Sequence, residues 1–307
     1  MKVLYATDGF PAAIAAGRVI SSLFRRNGVT ITVASVTDVG TLDPGHIVLE
    51  LDPVRERRLD SQTIVLTAQA RLLAEGFDAS SLVLEGHPGS ELLKEITHGD
   101  YDVVVMGSGS HSWVGNHLLG SVSTRLLHEA PCSVLVTHDF RETEDVREAL
   151  VAVDGSHTAN ETVVALSHIL DPDRVQVEVL SVVDVHIPVA VPVLVGVNYP
   201  SHEMTSRIDD ELTVQAEGHA RIAKQTLQDA GFQVTSRAER GGASTVILEE
   251  ASHGGADLVA VGSRGLGPIR RVLLGSVSDQ VVRHVSAAFV GGFTRGKRQG
   301  PTASSAK

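Results

Sequence analysis

The sequence predicts an α/β protein made of two tandem doubly wound domains, each a five-stranded parallel sheet covered by helices. Three observations carry that expectation. Short apolar runs alternate with stretches whose apolar residues recur at helical spacing, as strands joined by crossover helices do. Several of these runs are continuously apolar, as in strands buried on both faces, and stop at a glycine. The cycle then starts again near residue 149.

At 307 residues the chain is long enough for two domains of ordinary size. It is 42% hydrophobic and 21% charged, the balance of a globular rather than a disordered chain. Aromatic residues make up only 4%, so the cores are expected to be aliphatic. A net charge of −11 argues against an extended surface for nucleic acid or anionic membrane, though one local cationic site is compatible with it. The single cysteine, Cys132, excludes an intrachain disulfide and reads as a buried residue. Met1 to Ala6 enters a strand directly without a signal-peptide pattern, and no run of about 18 apolar residues suggests a membrane span. The expected location is cytoplasmic.

The first strand, Val3 to Ala6, leads to Asp8-Gly9, and Pro11 opens a helix carried by Ala13, Gly17, Ile20 and Phe24 toward a C-cap signal at Asn27-Gly28. Ile31 to Val36 is the second strand, followed by an irregular loop from Asp38 to about Asp52. Pro53 to Glu75 reads as a long amphipathic helix closed by Gly76, and Ser81 to Leu84 as the third strand. A helix over Gly89–His98 takes Ser90 as its N-cap. The fourth strand is Asp102 to Met106, a helix covers Ser121 to Glu129, and the fifth strand is Ser133 to Thr137. Phe140 to Glu148 reads as a charged connector.

Ala149 to Gly155 then repeats the first strand with its terminal Asp154-Gly155, 146 residues after Asp8-Gly9. Ala159, Val163, Leu166 and Leu170 form a helical stripe, and Val175 to Val182 repeats the second strand. The second copy carries nine extra residues around His186 to Tyr199, an apolar loop rich in Val and Pro expected to be buried or part of an interface. Its fifth strand, Ala287 to Gly292, is expected to be weaker because two glycines pack nothing.

The most informative stretch is Gly262-Ser263-Arg264-Gly265, nine residues, then Gly275-Ser276-Val277-Ser278. It follows the apolar run Asp257 to Val261 and precedes a helix for which Ser276 or Ser278 is the expected N-cap. Glycines at a strand end let a ligand approach the backbone, and amides at a helix N-terminus favour anions, so the geometry suits phosphate. No lysine stands where a P-loop needs one, and Gly265-Leu266-Gly267 is followed by Arg270 rather than the third glycine of a dinucleotide fingerprint. The pattern also occurs 155 residues earlier, as Gly107-Ser108-Gly109-Ser110, nine residues, then Gly120-Ser121-Val122-Ser123. Ser110 there takes the place of Gly265.

With strand order 3-2-1-4-5, the connections after strands 1 and 4 leave toward opposite faces, and ligands bind at that switch. Asp154 then meets Gly262, and Asp8 meets Gly107. A carboxylate at this point accepts from an exocyclic amine or a hydroxyl. A nucleotide with its base near Asp154 and its phosphates on the Gly262 loop satisfies both ends.

Gly-x-x-Gly, nine residues, Gly-Ser, preceded by an Asp-Gly strand end, resembles the universal stress protein family. The resemblance covers nearly the whole chain as two tandem domains, 1–140 and 149–293, with a basic tail at 294–307 expected to be disordered. It implies an intrachain pseudo-dimer with pseudo-twofold symmetry, and leaves open a further homodimer. It also implies that Asp154, with Gly155 and the backbone near Val182, holds adenine or ribose. By the same resemblance Gly262, Gly265, Gly275 and Ser276 would hold the phosphates, with Ser278 beside them and Val261 and Val277 lining the pocket. Arg264 reads equally as a phosphate contact or a solvent-facing loop arginine. The matching residues of the first domain are Asp8, Val36, Met106, Gly107, Gly120, Ser121 and Val122. Ser110 is expected to weaken binding there, because Gly265 is free to take a positive φ. Phe10-Pro11 also replaces Ser156-His157.

The implied ligand is ATP, with ADP or AMP as alternatives and magnesium as a companion of the phosphates. The implied role is a stress-response regulator acting through ligand-dependent conformation or partner binding. No histidine, carboxylate or lysine in the glycine loop is placed as a general base, so hydrolysis is expected to be slow or absent. His111, His117 and His128 share a region but match no standard metal spacing. A phosphoacceptor receiver domain needs an acidic pair at strand 1 and an Asp on strand 3, where this chain offers only Glu85. An adenylyl transferase needs a longer Ser-Gly-Gly-rich loop than Asp154-Gly155-Ser156. A nucleotide-independent interaction module is the third alternative.

Overall fold

The structure is a computed structural model and describes residues 1–38, 53–109, 119–139, 147–183, 202–265 and 274–292. Its first half runs β1 (Lys2–Ala6), α1 (Pro11–Leu23), β2 (Thr30–Thr37), α2 (Pro53–Ala74), β3 (Asp78–Glu85), α3 (Pro88–Gly99), β4 (Val103–Gly107), α4 (Ser121–Glu129) and β5 (Ser133–Thr137). The second half repeats the cycle as β6 (Arg147–Val153), α5 (His157–Ile169), β7 (Val175–Val183), α6 (His202–Asp229), β8 (Gln233–Arg240), α7 (Ala243–His253), β9 (Leu258–Gly262), α8 (Ser276–His284) and β10 (Ala287–Gly291).

All the strands join one sheet, in the order β3-β2-β1-β4-β5-β10-β9-β6-β7-β8. Each half has the doubly wound order 3-2-1-4-5, and its internal pairs are parallel. One core lies between the sheet and α1, α2, α5 and α6, the other between the sheet and α3, α4, α7 and α8. β1, β4, β5, β6, β9 and β10 are fully or almost fully buried, which is why they read as continuous apolar runs.

The halves meet where β5 and β10 pair antiparallel, with Val134 opposite Val290 and Leu135 opposite Phe289. Each fifth strand thus covers the open edge of the other. A second contact joins equivalent positions: Phe24 and Leu170, 146 residues apart, form an antiparallel bridge at the ends of α1 and α5. Arg25 locks it, donating from Nε to Leu170 O at 3.0 Å and from Nη2 to Ser167 O at 2.9 Å. Arg174 Nη1 reciprocates to Ser21 O at 2.8 Å. Two antiparallel contacts between equivalent elements define the pseudo-twofold axis.

Several local expectations change. α1 stops at Leu23 rather than at Asn27-Gly28, because Phe24 turns extended to make the bridge to Leu170. α3 takes His87 as N-cap and Pro88 as its first residue, since proline presets the helical φ there. Ser90, expected to cap it, instead accepts from Arg125 Nη1 at 2.7 Å. α2 is apolar on two faces rather than amphipathic: Val65 and Leu72 are buried, while Leu59, Leu66 and Leu73 are about half exposed. β10 is buried throughout, and Gly291 at its end and Gly292 just after it are what allow close approach: a Cβ on Gly291 or Gly292 would collide with Thr162 or Thr158 of α5. β3 begins at Asp78, earlier than the apolar run, and β6 begins at Arg147, inside the stretch read as connector. Ser110, His111, His117, the loop around His186 to Tyr199 and the tail 294–307 lie outside the described residues.

Candidate functional site

The first strand of each half ends in an Asp-Gly turn that needs left-handed backbone, with φ of +79° at Gly9 and +76° at Gly155. Asp154 Oδ1 accepts from Ser156 N at 2.9 Å, and Asp8 Oδ1 from Phe10 N at 3.0 Å, so each carboxylate is fixed by the turn it starts. The remaining oxygen of Asp154 faces the loop after β9.

That loop is tied down at three places. Ser263 N donates to Gly291 O at 2.8 Å, Gly275 N to Ser263 O at 2.9 Å, and Ser278 Oγ to Gly262 O at 2.7 Å. The first half repeats these bonds: Ser108 N to Thr137 O at 2.8 Å, Gly120 N to Ser108 O at 2.7 Å, and Ser123 Oγ to Gly107 O at 2.9 Å. Ser278 is therefore a strand-to-helix tie. The N-cap of α8 is Gly275, with no side-chain cap bond, so neither Ser276 nor Ser278 caps the helix as expected. Among the described residues no side chain caps the first turn of α8, which suits an anion there.

Between β6, β7, β9, α7 and the N-terminus of α8 lies a cavity of about 520 Å³. Asp154, Val182, Val261, Gly262, Arg264, Gly265, Gly275, Ser276, Val277 and Ser278 all line it. Its wall is apolar toward Leu180, Val182 and Ile247, and becomes glycine and hydroxyl toward the loop. Asp154 and Arg264 are the ionisable residues among the described lining.

Gly155 is not part of the lining; His219 of α6 covers it, and a Cβ there would collide with the imidazole ring. Gly265 does not take a positive φ. What it needs is space, for a Cβ would lie 2.8 Å from Asp154 Oδ2.

Two stretches of the chain, 1–138 and 146–289, match the model of the universal stress protein family. The chain belongs to the universal stress protein family. A universal stress protein of Mycolicibacterium smegmatis is 35% identical over 183 residues, 59% of this chain and 58% of that relative. Another, from Methanothermobacter thermautotrophicus, is 46% identical over 54 residues, 36% of its own length. The chain thus spans about half the length of these curated relatives or less. A universal stress protein of Synechocystis is 23% identical across 93% of this chain and 87% of its own. A solved universal stress protein from Archaeoglobus fulgidus covers 97% of both chains with a TM-score of 0.62 at 21% identity, a likeness of fold.

In this universal stress protein the first half repeats the strand ends and helix starts of the second. Met106 and Gly107 end β4, with Met106 in register with Ala6 of β1, Gly120 is the N-cap of α4, Ser121 starts that helix, and Val36 and Val122 pack on the same core. Sequence reasoning missed Ala243 and Ile247, which close the cavity from α7. No motif marks them, since their contribution is the position of a helix. It also missed Ser156 and Thr158, whose hydroxyls both donate to Arg264 O, Ser156 at 3.2 Å. The departure of Phe10-Pro11 from Ser156-His157 was the available signal. Among the described residues no helix is long and apolar enough to cross a membrane.

Proposed function

We propose that the second half binds an adenine nucleotide in this cavity, and that the protein acts as a stress-response regulator through the bound state rather than through turnover. ATP is the first candidate, with ADP and AMP sharing the same base and ribose and magnesium accompanying the phosphates. The observation that carries this reading is the division of one cavity of about 520 Å³ into an apolar end and a glycine-and-amide end, with Asp154 between them. The base fits against Leu180, Val182 and Ile247, Asp154 Oδ2 accepts from the ligand's hydroxyl or amine, and the phosphates meet Gly262, Gly265 and the uncapped first turn of α8.

The lining argues against rapid hydrolysis. Asp154 is its carboxylate, and one oxygen is already committed to the turn at Ser156. No other described lining group is a candidate general base. A regulator of this kind works in the cytoplasm, where adenine nucleotides are plentiful.

Thermal-shift and calorimetric titration with ATP, ADP, AMP and a cyclic nucleotide test the reading, together with mass spectrometry of nucleotide released on heating. Stabilisation by at least one adenine nucleotide, lost in Asp154→Ala, is the expected result. Equal indifference to all four overturns it.

A further inference from the structure

The two glycine loops have the same ties at Ser108 and Ser263 but differ in the next peptide. In the second half the carbonyl of Arg264 points toward α5, where Thr158 Oγ1 and Ser156 Oγ both donate to it, and Arg264 N donates back to Thr158 Oγ1 at 3.4 Å. In the first half the positions equivalent to Ser156 and Thr158 are Phe10 and Ala12, which have no hydroxyl. Gly109, equivalent to Arg264, takes a φ of +72°. Its carbonyl oxygen lies over Gly120, so that a Cβ built on Gly120 would be 2.5 Å away. At Gly275 the nearest atom to such a Cβ is Ser263 O, at 3.4 Å.

The carbonyl and amide of one trans peptide point in opposite directions. Turning the Arg264 carbonyl to α5 therefore turns the Gly265 N–H away from α5, and Gly265 is one of the residues that line the cavity. In the first half a carbonyl oxygen lies instead at the N-cap of α4, where it opposes an anion.

We infer that Ser156 and Thr158 are positioning residues that hold the Arg264–Gly265 peptide in its anion-accepting orientation, and that their absence makes the first half a closed, non-binding partner. The protein then takes one nucleotide per chain. The inference rests on the nucleotide reading for its ligand, but the peptide orientation is testable without one.

The test compares wild type with Thr158→Val, which keeps the shape and removes the hydroxyl, and Thr158→Ser, which keeps the hydroxyl. Two readouts serve: calorimetry with ATP, and the amide resonances of Arg264 and Gly265 in the ligand-free protein. The expected stoichiometry is one ATP per chain, weakened about tenfold or more in Thr158→Val, the loss of one charge-assisted hydrogen bond, and restored to within about threefold in Thr158→Ser. The ligand-free amide resonances should shift in the valine variant and return in the serine variant. If wild type binds no ATP while those resonances still follow the hydroxyl, the anchor stands and the nucleotide reading falls. Two equal ATP sites per chain, or resonances and affinity unchanged in Thr158→Val, overturn the inference. So does a serine variant as impaired as the valine one.

Discussion

Gly265 lies against Asp154, with room for a hydrogen but not for a methyl group between its Cα and the Oδ2 of the carboxylate. The other carboxylate oxygen is held by Ser156 N. A side chain at 265 forces Asp154 to rotate and give up that bond. Gly265→Ala should therefore weaken nucleotide binding several-fold, a change of about 1 kcal/mol, with little loss of fold stability. Calorimetry on the variant checks this; unchanged affinity contradicts the packing role of Gly265.

Gly107 faces backbone rather than a side chain. Its Cβ would fall 2.5 Å from the carbonyl carbon of Ala12, and α1 cannot retreat without leaving the sheet. Gly107→Ala should lower stability by about 1–3 kcal/mol. Gly218, inside α6, has among the described residues only the tip of Arg221 within reach, 3.9 Å away. Gly218→Ala should raise stability by about 0.5–1 kcal/mol through helix propensity. Urea titration of both variants should give opposite signs.

Phe289 is fully buried in β10, opposite Leu135 across the seam. Phe289→Ala should cost about 3–5 kcal/mol. Because the lost contacts belong to both halves, circular dichroism should show the whole molecule weakened. A second half that melts early beside an unaffected first half would contradict a shared seam.

Partial desolvation, then the nearby Asp257 and Glu178, push the Glu148 carboxyl above its ordinary value of 4.5, although the residue as a whole is exposed. A carboxyl raised in the folded state favours folding only while protonated, and that contribution is lost as pH rises through the folded value. Glu148→Gln should accordingly be more stable than wild type at pH 7, with the advantage vanishing below about pH 4. Melting curves across that range check the sign.

Turnover at the site is open to direct measurement. With one Asp154 oxygen committed to the turn and the other taken by the ligand, purified protein should hydrolyse ATP well below about 1 per second. Phosphate release at enzyme-like rates, persisting through purification and lost in Asp154→Asn, would overturn this.

The strands and the duplication were legible because continuous apolar runs such as Val103 to Met106 can only be buried on both faces, and because Asp8-Gly9 and Asp154-Gly155 punctuate equivalent strands. The site was legible where backbone chemistry needs a particular residue, at Gly262, Gly265 and Gly275. The reason assigned to Gly265 was wrong, since a φ is invisible in sequence and the constraint came from Asp154, a residue 111 positions away. Ser276, Ser278 and Ser90 looked like caps because a hydroxyl before a helix is ambiguous; Ser278 spends its proton on Gly262 O and Ser90 accepts from Arg125. Gly291 and Gly292 looked weak for a strand because their worth lies in admitting α5, a neighbour distant in sequence.

The antiparallel seam of β5 and β10 joins two parts of the same polypeptide. Pairing inside one molecule proceeds at an effective concentration that dilution does not change, on the order of millimolar for short tethers. The seam therefore forms equally at the lowest cellular abundance. It also always matches one first half with one second half. Separate identical subunits must carry every substitution twice, whereas here Phe10 and Ser156 are free to differ at equivalent places. Fusion turns a symmetric assembly into one whose halves can evolve separate duties.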